Sequence, residues 1–385
     1  MAPSPTPPLR VALLGAGIFA RTAHLGALAP HVRAGAVTVA AVWSRSAAPA
    51  AALASAYADV TPGGTPPPSA LSGDAALDSL LGGGDGHAID AVVLAVPIPA
   101  LAALSARCLA AGHHVLSEKP LAHSLSAARE VLAAAAAAAG RAPAGERPPP
   151  RYAVAENFRF EPAFRRAAAL VAAGTAGSLL AVTLTGHSAM PPDSPYAATA
   201  WRQAPAHRGG VLSDGGVHSV AALRAVTGRA VRRVVGASVT AGTADGARAA
   251  APDGLAAVVA LDGGATAAVS LCFAVGTRAW RLRVAGTEGA VDVERGAREG
   301  AGGYWVRWDT RGGGGGGGEE FHPFGGVEAE VSAWVAACRG GDGSKADAVH
   351  PLLAGAEAFA DLAVIDAVLV AAERGGGADV ERLDD

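Results

Sequence analysis

Only three cysteines, Cys108, Cys272 and Cys338, occur in the 385 residues, an odd number with no paired spacing. That excludes a disulfide framework and a zinc ribbon, and it fits a reducing compartment. No metal site is expected. Charge of either sign is not concentrated: the net charge is −3, the pI is near 6.4, and the lysines and arginines are scattered, so no basic field for a nucleic-acid partner exists. No apolar run reaches the roughly 20 residues that a bilayer requires. Leu362 to Ala372 comes nearest, and it contains Asp366. The opening Met-Ala-Pro-Ser-Pro-Thr-Pro-Pro leads at once into an apolar segment, which leaves no signal or transit peptide to read. A soluble, cytoplasmic protein without a membrane partner is the expectation. Aromatic residues are scarce, at 5%, so the 51% hydrophobic content rests on alanine rather than on long aliphatic runs.

What the chain does have is length and rhythm. At 385 residues it exceeds the usual single domain, and two domains are expected, 1–160 and 161–385. Leu9 to Leu14, Val37 to Trp43, Asp90 to Val96, the run ending at Leu116, and Tyr152 to Ala155 are short and apolar. Between them, Asp74 to Leu81, Leu101 to Ala111 and Ser124 to Ala139 read as helices, the second stopped by Gly112. Alternating strands and helices predict an α/β doubly wound parallel sheet of the Rossmann kind. After the helix Glu161 to Ala173 the rhythm changes to closely spaced strands: Leu180–Thr185, Val231–Thr240, Ala256–Leu261, Thr266–Phe273, Arg281–Ala285, Ala290–Glu294 and Tyr304–Trp308. Strands without helices between them imply a mostly antiparallel sheet in an α+β domain, closed by helices at Val327–Arg339 and Leu352–Ala372. Arg141–Pro150 is a proline-rich excursion, and Gly312–Gly318 reads as an elongated hairpin loop.

The first strand runs into Gly15-Ala16-Gly17-Ile18-Phe19-Ala20. Gly15 permits the tight turn, Gly17 lets a pyrophosphate approach the backbone, Ala20 keeps helix and strand close, and the first helical N–H groups face the phosphates. Gly15, Gly17, Ile18 and Phe19 are therefore candidate cofactor residues. The second strand ends in Ser44-Arg45-Ser46, where a site preferring NAD would carry an acid for the ribose hydroxyls. A guanidinium and two hydroxyls suit a 2′-phosphate, which favours NADP over NAD. The plainer reading has Ser46 capping the next helix and Arg45 in water. Pro97, at the end of the next strand, and Glu118 complete the candidate cofactor residues.

His114 to Leu121 ends an apolar run in Glu118-Lys119-Pro120, which brings Lys119 out at the carboxyl edge of the sheet, where open α/β folds bind ligands. Pro120 restricts Lys119 to extended geometry. Further on, Gly209-Gly210-Val211-Leu212-Ser213-Asp214-Gly215-Gly216-Val217-His218 leads into a helix. Asp214 and His218 stand four apart, so in an α-helix they would share one face. An imidazole can exchange a proton with an alcohol while a carboxylate fixes its tautomer, and Lys119 can polarise the same oxygen. A helix-capping aspartate, a core histidine and a solvated loop lysine are the alternatives. Lys119, Asp214 and His218 are the candidate catalytic residues. The same three, with Arg159 and Arg202, are the candidate substrate contacts, although ion pairing would explain both arginines equally well.

With these motifs together the chain resembles the glucose-fructose oxidoreductase, inositol dehydrogenase and rhizopine-catabolism family of NAD(P)-dependent oxidoreductases. The resemblance implies a Rossmann domain followed by an open-faced antiparallel sheet. It also implies a lysine in Glu118-Lys119-Pro120 beside substrate and nicotinamide, and His218 as proton acceptor or donor next to Asp214. Gly17-Ile18-Phe19-Ala20, Trp43-Ser44-Arg45-Ser46, Glu156-Asn157-Phe158-Arg159-Phe160 and Trp201-Arg202 resemble a plant and fungal branch of mostly unassigned substrate. The implied activity is hydride transfer to or from a sugar, cyclitol or dihydrodiol, by a homodimer or higher homo-oligomer formed through the sheet face. A non-catalytic dinucleotide sensor and a redox-neutral enzyme with tightly held cofactor are the competing expectations.

Overall fold

The computed structural model describes residues 7–61, 65–84, 86–141, 149–189, 194–196, 198–241, 251–311, 316–340 and 350–384. The chain divides into two compact units, one formed by 1–122, 126–155 and 327–357, the other by 123–125, 156–326 and 358–385.

In the first unit the strands are β1 (Leu9–Leu14), β2 (Val37–Ser44), β3 (Ser69–Ser72), β4 (Ala91–Leu94), β5 (His114–Glu118) and β6 (Tyr152–Ala155). They form one parallel sheet in the order β3-β2-β1-β4-β5-β6. The helices α1 (Leu25–Arg33), α2 (Ala47–Val60), α3 (Asp74–Leu81), α4 (Ile98–Ala110) and α5 (Leu125–Gly140) alternate with them. Every residue of β4 is buried, which explains why its sequence is uninterruptedly apolar. Arg10, on β1, grips Asp90, just before β4, through Nε at 2.9 Å and Nη2 at 2.7 Å, and so fixes the register at the far end of these neighbours. Helix α4 starts directly after Pro97 and ends at Gly112, whose φ of +87° a side chain would resist.

The second unit carries α6 (Pro162–Ala172), β7 (Leu179–Ala189), α7 (Ala200–Gln203), α8 (Val217–Thr227), β8 (Val231–Thr240), β9 (Gly254–Leu261), β10 (Thr266–Cys272), β11 (Ala274–Gly286), β12 (Gly289–Arg298), β13 (Ala301–Thr310) and β14 (Gly318–Pro323). After α9 (Gly326–Arg339) the chain closes with α10 (Gly355–Arg374) and β15 (Ala378–Asp379). The sheet order is β14-β13-β12-β11-β7-β10-β9-β8-β15. All neighbours are antiparallel except β7 and β10, so the sheet is mostly antiparallel as expected. Phe164 of α6, Val220 and Leu223 of α8, and Ile365 and Val368 of α10 share one buried apolar cluster with Leu184, Leu282 and Val293 of the sheet. The other strand face is exposed and mixed in character. Thr183, Ala268 and Val258 are exposed there, and Arg281 and Arg283 pair across it with Asp292.

Two expectations need correction. Helix α9, read from the sequence as part of the second domain, groups with the first unit. Its apolar stripe Val331, Trp334, Val335 and Cys338 is buried, Ser332 bonds His31 at 3.0 Å, and Arg339 Nη1 donates to the Ala36 carbonyl at 2.5 Å. The strands β3, β14 and β15 were not expected. All three are short edge or near-edge strands, and edge strands need little apolar alternation. The glycine run does join two antiparallel neighbours, β13 and β14, although 312–315 lie outside the described residues. Of the excursion at 141–150, residues 142–148 also lie outside them. Among the described residues no helix is long and apolar enough to cross a membrane, and no cluster suited to a metal ion occurs.

Candidate functional site

Strand β1 lies between β2 and β4, so the sheet order reverses at its carboxyl end, where Gly15 begins the turn. Gly15 has φ +109°, donates its N–H to the Trp43 carbonyl at 2.8 Å, and faces the Ala95 carbonyl so closely that a Cβ would collide with it. Gly17 differs. It is exposed, and a Cβ there would meet nothing nearer than Ala95 O at 3.9 Å. One glycine is thus required by the fold and the other leaves open space before the free N–H groups of the following turn, as a diphosphate cradle needs. Arg45 and Ser46 are exposed at the end of β2 on one side of this turn. Ser46 occupies the cap position of α2 in extended conformation, but its side chain makes no capping bond. Pro97 and Lys119 follow β4 and β5 on the other side. The Lys119–Pro120 peptide is cis.

Between β1 and α1, residues Ala20–His24 form a π-turn, a local widening often found at functional sites. It carries His24 inward to full burial, where Nε2 bonds Glu118 Oε1 at 2.8 Å and the ring takes Phe19 edge-on at 5.2 Å. The other oxygen of Glu118 accepts the Lys119 N–H at 3.3 Å. The turn that presents Lys119 is thereby tied to the helix that follows the glycine loop.

A second π-turn, Leu212–Gly216, opens α8 in the other unit. Asp214 lies within this π-turn and His218 in the first turn of the α-helix that follows it. Asp214 is buried and takes Arg202 Nε at 2.7 Å, while the Arg202 guanidinium lies over the Trp201 ring at 4.0 Å. His218 keeps a side chain 20% exposed. Its Nδ1 bonds Glu156 Oε1 at 2.6 Å, and the Phe158 ring stacks on it at 4.8 Å and 21°. The carboxylate bonded to His218 Nδ1 is Glu156, where the sequence reading expects Asp214 to orient the ring. His207, just upstream, is buried with neither ring nitrogen bonded, and burial lowers its pKa, with His123 adding to the shift and Asp214 opposing it.

Arg159, a candidate substrate contact, is 2% exposed and pairs with Asp361, which also takes Arg224 Nη1 at 2.6 Å. Burial raises the Asp361 pKa, the two arginines oppose that shift, and Glu156 adds to it. Arg159 thus belongs to the packed interior of its unit, in the ion pair that is the alternative sequence reading.

Residues 9–144 match the family described as "Oxidoreductase family, NAD-binding Rossmann fold", and residues 164–292 match the GFO/IDH/MocA C-terminal domain. The chain belongs to the GFO/IDH/MocA family. Its similarity to the dehydrogenase FPY6 of Fusarium mangiferae is 37% identity over 216 residues, 56% of each chain. The chain spans a little over half the length of the curated relatives it matches. An oxidoreductase from Thermotoga maritima has the same fold, with TM-score 0.75, 23% identity, and coverage of 97% of this chain and 98% of that one. The aldose-aldose oxidoreductase of Caulobacter crescentus, complexed with glycerol, gives TM-score 0.74 at 22% identity, covering 97% and 99%. Two residues carried no role in the sequence reading: His24, which it did not single out, and Glu156, which it named only within a motif. His24 stands four residues past Ala20, a spacing that would have drawn notice only if the π-turn had been foreseen.

Proposed function

We propose that the chain is an NAD(P)-dependent oxidoreductase acting on CH–OH groups, moving a hydride between the nicotinamide and a carbinol or carbonyl carbon of a neutral sugar, cyclitol or dihydrodiol. The observation that carries this reading is the row at the carboxyl ends of adjacent parallel strands: Arg45 after β2, Gly15 and Gly17 after β1, Pro97 after β4, and Lys119 after β5. Gly15, Gly17, Ile18 and Phe19 would hold the diphosphate, Ser44, Arg45 and Ser46 the adenosine ribose, and Pro97, Glu118 and Lys119 the nicotinamide end. The bound dinucleotide supplies the hydride acceptor or donor. NADP is the preferred form, because Arg45 and Ser46 are exposed where the ribose is expected and no acid follows β2.

The chain's own groups handle charge and protons. Lys119 stabilises the oxygen as it gains negative charge, His218 exchanges the hydroxyl proton, and Asp214 accepts a hydrogen bond from a substrate hydroxyl. Arg202 serves this through Asp214, whose carboxylate it bonds. With Arg202 so engaged and Arg159 buried against Asp361, a neutral polyol suits these residues better than an anion. Homo-oligomerisation is assigned to the exposed strand face of the second unit.

Fluorescence titration with NADPH and NADH, repeated for Arg45→Asp, tests the cofactor half. Tighter NADPH binding that reverses in the variant is expected, and no binding of either would sink the proposal. A polyol and sugar panel with saturating dinucleotide tests the rest. Lys119→Ala should lower kcat by about 10²-fold or more, on the scale of losing one oriented charge-stabilising group.

A further inference from the structure

We infer that Glu156 is the positioning carboxylate of the proton-transferring histidine, so that His218 holds its proton on Nδ1 and exchanges the substrate's proton at Nε2. The inference rests on the proposed oxidoreductase reading and assigns a role to a residue outside it.

Glu156 is 2% exposed, and Oε1 accepts from both His218 Nδ1, at 2.6 Å, and the Phe158 backbone N–H, at 3.1 Å. An ionised carboxylate only accepts, so the hydrogen in the short bond belongs to Nδ1, and the neutral ring keeps its lone pair on Nε2. The ring is also held in plane. Phe158 stacks on it and is itself packed at 5.2 Å by Phe164 and at 6.0 Å by Trp280, so the imidazole cannot turn over without moving an aromatic cluster. Those contacts fix which nitrogen faces outward, and His218 is the partly exposed member of the pair while Glu156 is not.

The step that follows is balanced. In the oxidative direction the substrate O–H bond breaks and its proton goes to Nε2. The carbinol hydrogen would leave with its bonding pair as a hydride, which the oxidised dinucleotide would accept when bound, and the carbonyl forms. The imidazolium charge appears against the Glu156 carboxylate, which compensates it without moving. Asp214, bonded to Arg202, is then free of the orienting task and serves the substrate hydroxyl.

The test is imidazole ¹⁵N NMR of the full chain with labelled histidine, His218 being identified by the resonance lost in His218→Asn. The wild type should show His218, in its neutral form, protonated on Nδ1. Glu156→Gln, whose amide can donate to Nδ1, should move that proton to Nε2, whereas Asp214→Asn should leave it in place. On whichever polyol the panel shows to be turned over with NADP, Glu156→Gln should lower kcat by about 10²–10⁴-fold, the scale of a misplaced tautomer, with KM and NADPH affinity changed less than threefold. Glu156→Asp should recover part of the loss. A wild-type His218 found as the Nε2–H tautomer overturns the inference without any variant. So does a signature lost in Asp214→Asn but kept in Glu156→Gln. Absence of turnover on the whole panel would instead count against the oxidoreductase proposal, since the tautomer reading does not depend on it.

Discussion

Replacing each glycine of the dinucleotide loop by alanine separates a glycine needed by the fold from one needed by a ligand. At Gly15 the backbone sits at φ +109° and a Cβ would drive into the Ala95 carbonyl, which is main chain and cannot swing aside. Positive φ costs an L-residue about 1–2 kcal/mol, and forcing extra volume into a packed site adds about 1–3. Alanine's stiffer unfolded chain returns about 0.4–1 kcal/mol. The net loss is about 1–5 kcal/mol, which lowers the melting temperature by roughly 2–20 °C in a unit of this size. At Gly17 the nearest atom to a new Cβ is 3.9 Å away and φ is not positive, so Gly17→Ala should melt within about 2 °C of the wild type. Its methyl would occupy the space a pyrophosphate needs, and NADPH affinity should fall about tenfold or more, some 1.4 kcal/mol. Differential scanning fluorimetry and dinucleotide titration read the two effects. A Gly15→Ala variant as stable as the wild type, or a Gly17→Ala variant binding NADPH unchanged, would refute the reasoning.

His114 should make the first unit sensitive to acid. Burial, with Arg151 adding and Asp90 opposing, pushes its pKa down to about 4, and Nδ1 accepts the Arg151 N–H at 3.0 Å. The unfolded chain takes up that proton near pH 6.5, so its contribution is complete above that value and is lost as pH falls towards 4, amounting to about 3 kcal/mol. Urea denaturation at pH 7 and pH 4.5 should show a smaller acid loss in His114→Asn, which keeps an acceptor; an equal loss would exclude His114 as the cause. Arg159→Ala, by leaving Asp361 short of a partner in a buried site, should cost about 3–5 kcal/mol in thermal or urea unfolding. A variant of full stability with a raised KM alone would return Arg159 to the substrate.

Much of the fold could be read because burial writes itself into residue type. Strands β4 and β5 are enclosed by neighbours, so Ala91 to Leu94 and Val115 to Leu116 are apolar without a break, and the turns after them stand out. Arg45 and Lys119 are legible for a like reason: Arg45 is the first charge after an apolar run, and Lys119 directly follows Glu118, the first charge after another. The membership of α9 was not legible, since an apolar stripe such as Val331, Trp334 and Val335 records that a helix face is covered and not by which unit. The partner of His218 was hidden because spacing reports only local neighbours. Spacing of four shows that Asp214 and His218 can share a face, not that they bond, and the Asp214 carboxylate takes Arg202 instead. Glu156 lies 62 residues upstream, a pairing made by the sheet and helix arrangement rather than by any local pattern.

The return of α9 to the first unit also sets an order of events during synthesis. That unit gathers 1–122 and 126–155 and then waits for 327–357, so all of 156–326 is made before its last helix exists. At about 5–20 residues per second the gap is on the order of 10–30 s. During that interval the surface destined for Trp334 and Val335 lacks its cover, and the Ala36 carbonyl lacks the guanidinium of Arg339. The nascent first unit therefore passes through a long-lived, incompletely covered state on the ribosome, a natural point for a chaperone to bind. A shortened chain ending before α9 would hold it there permanently.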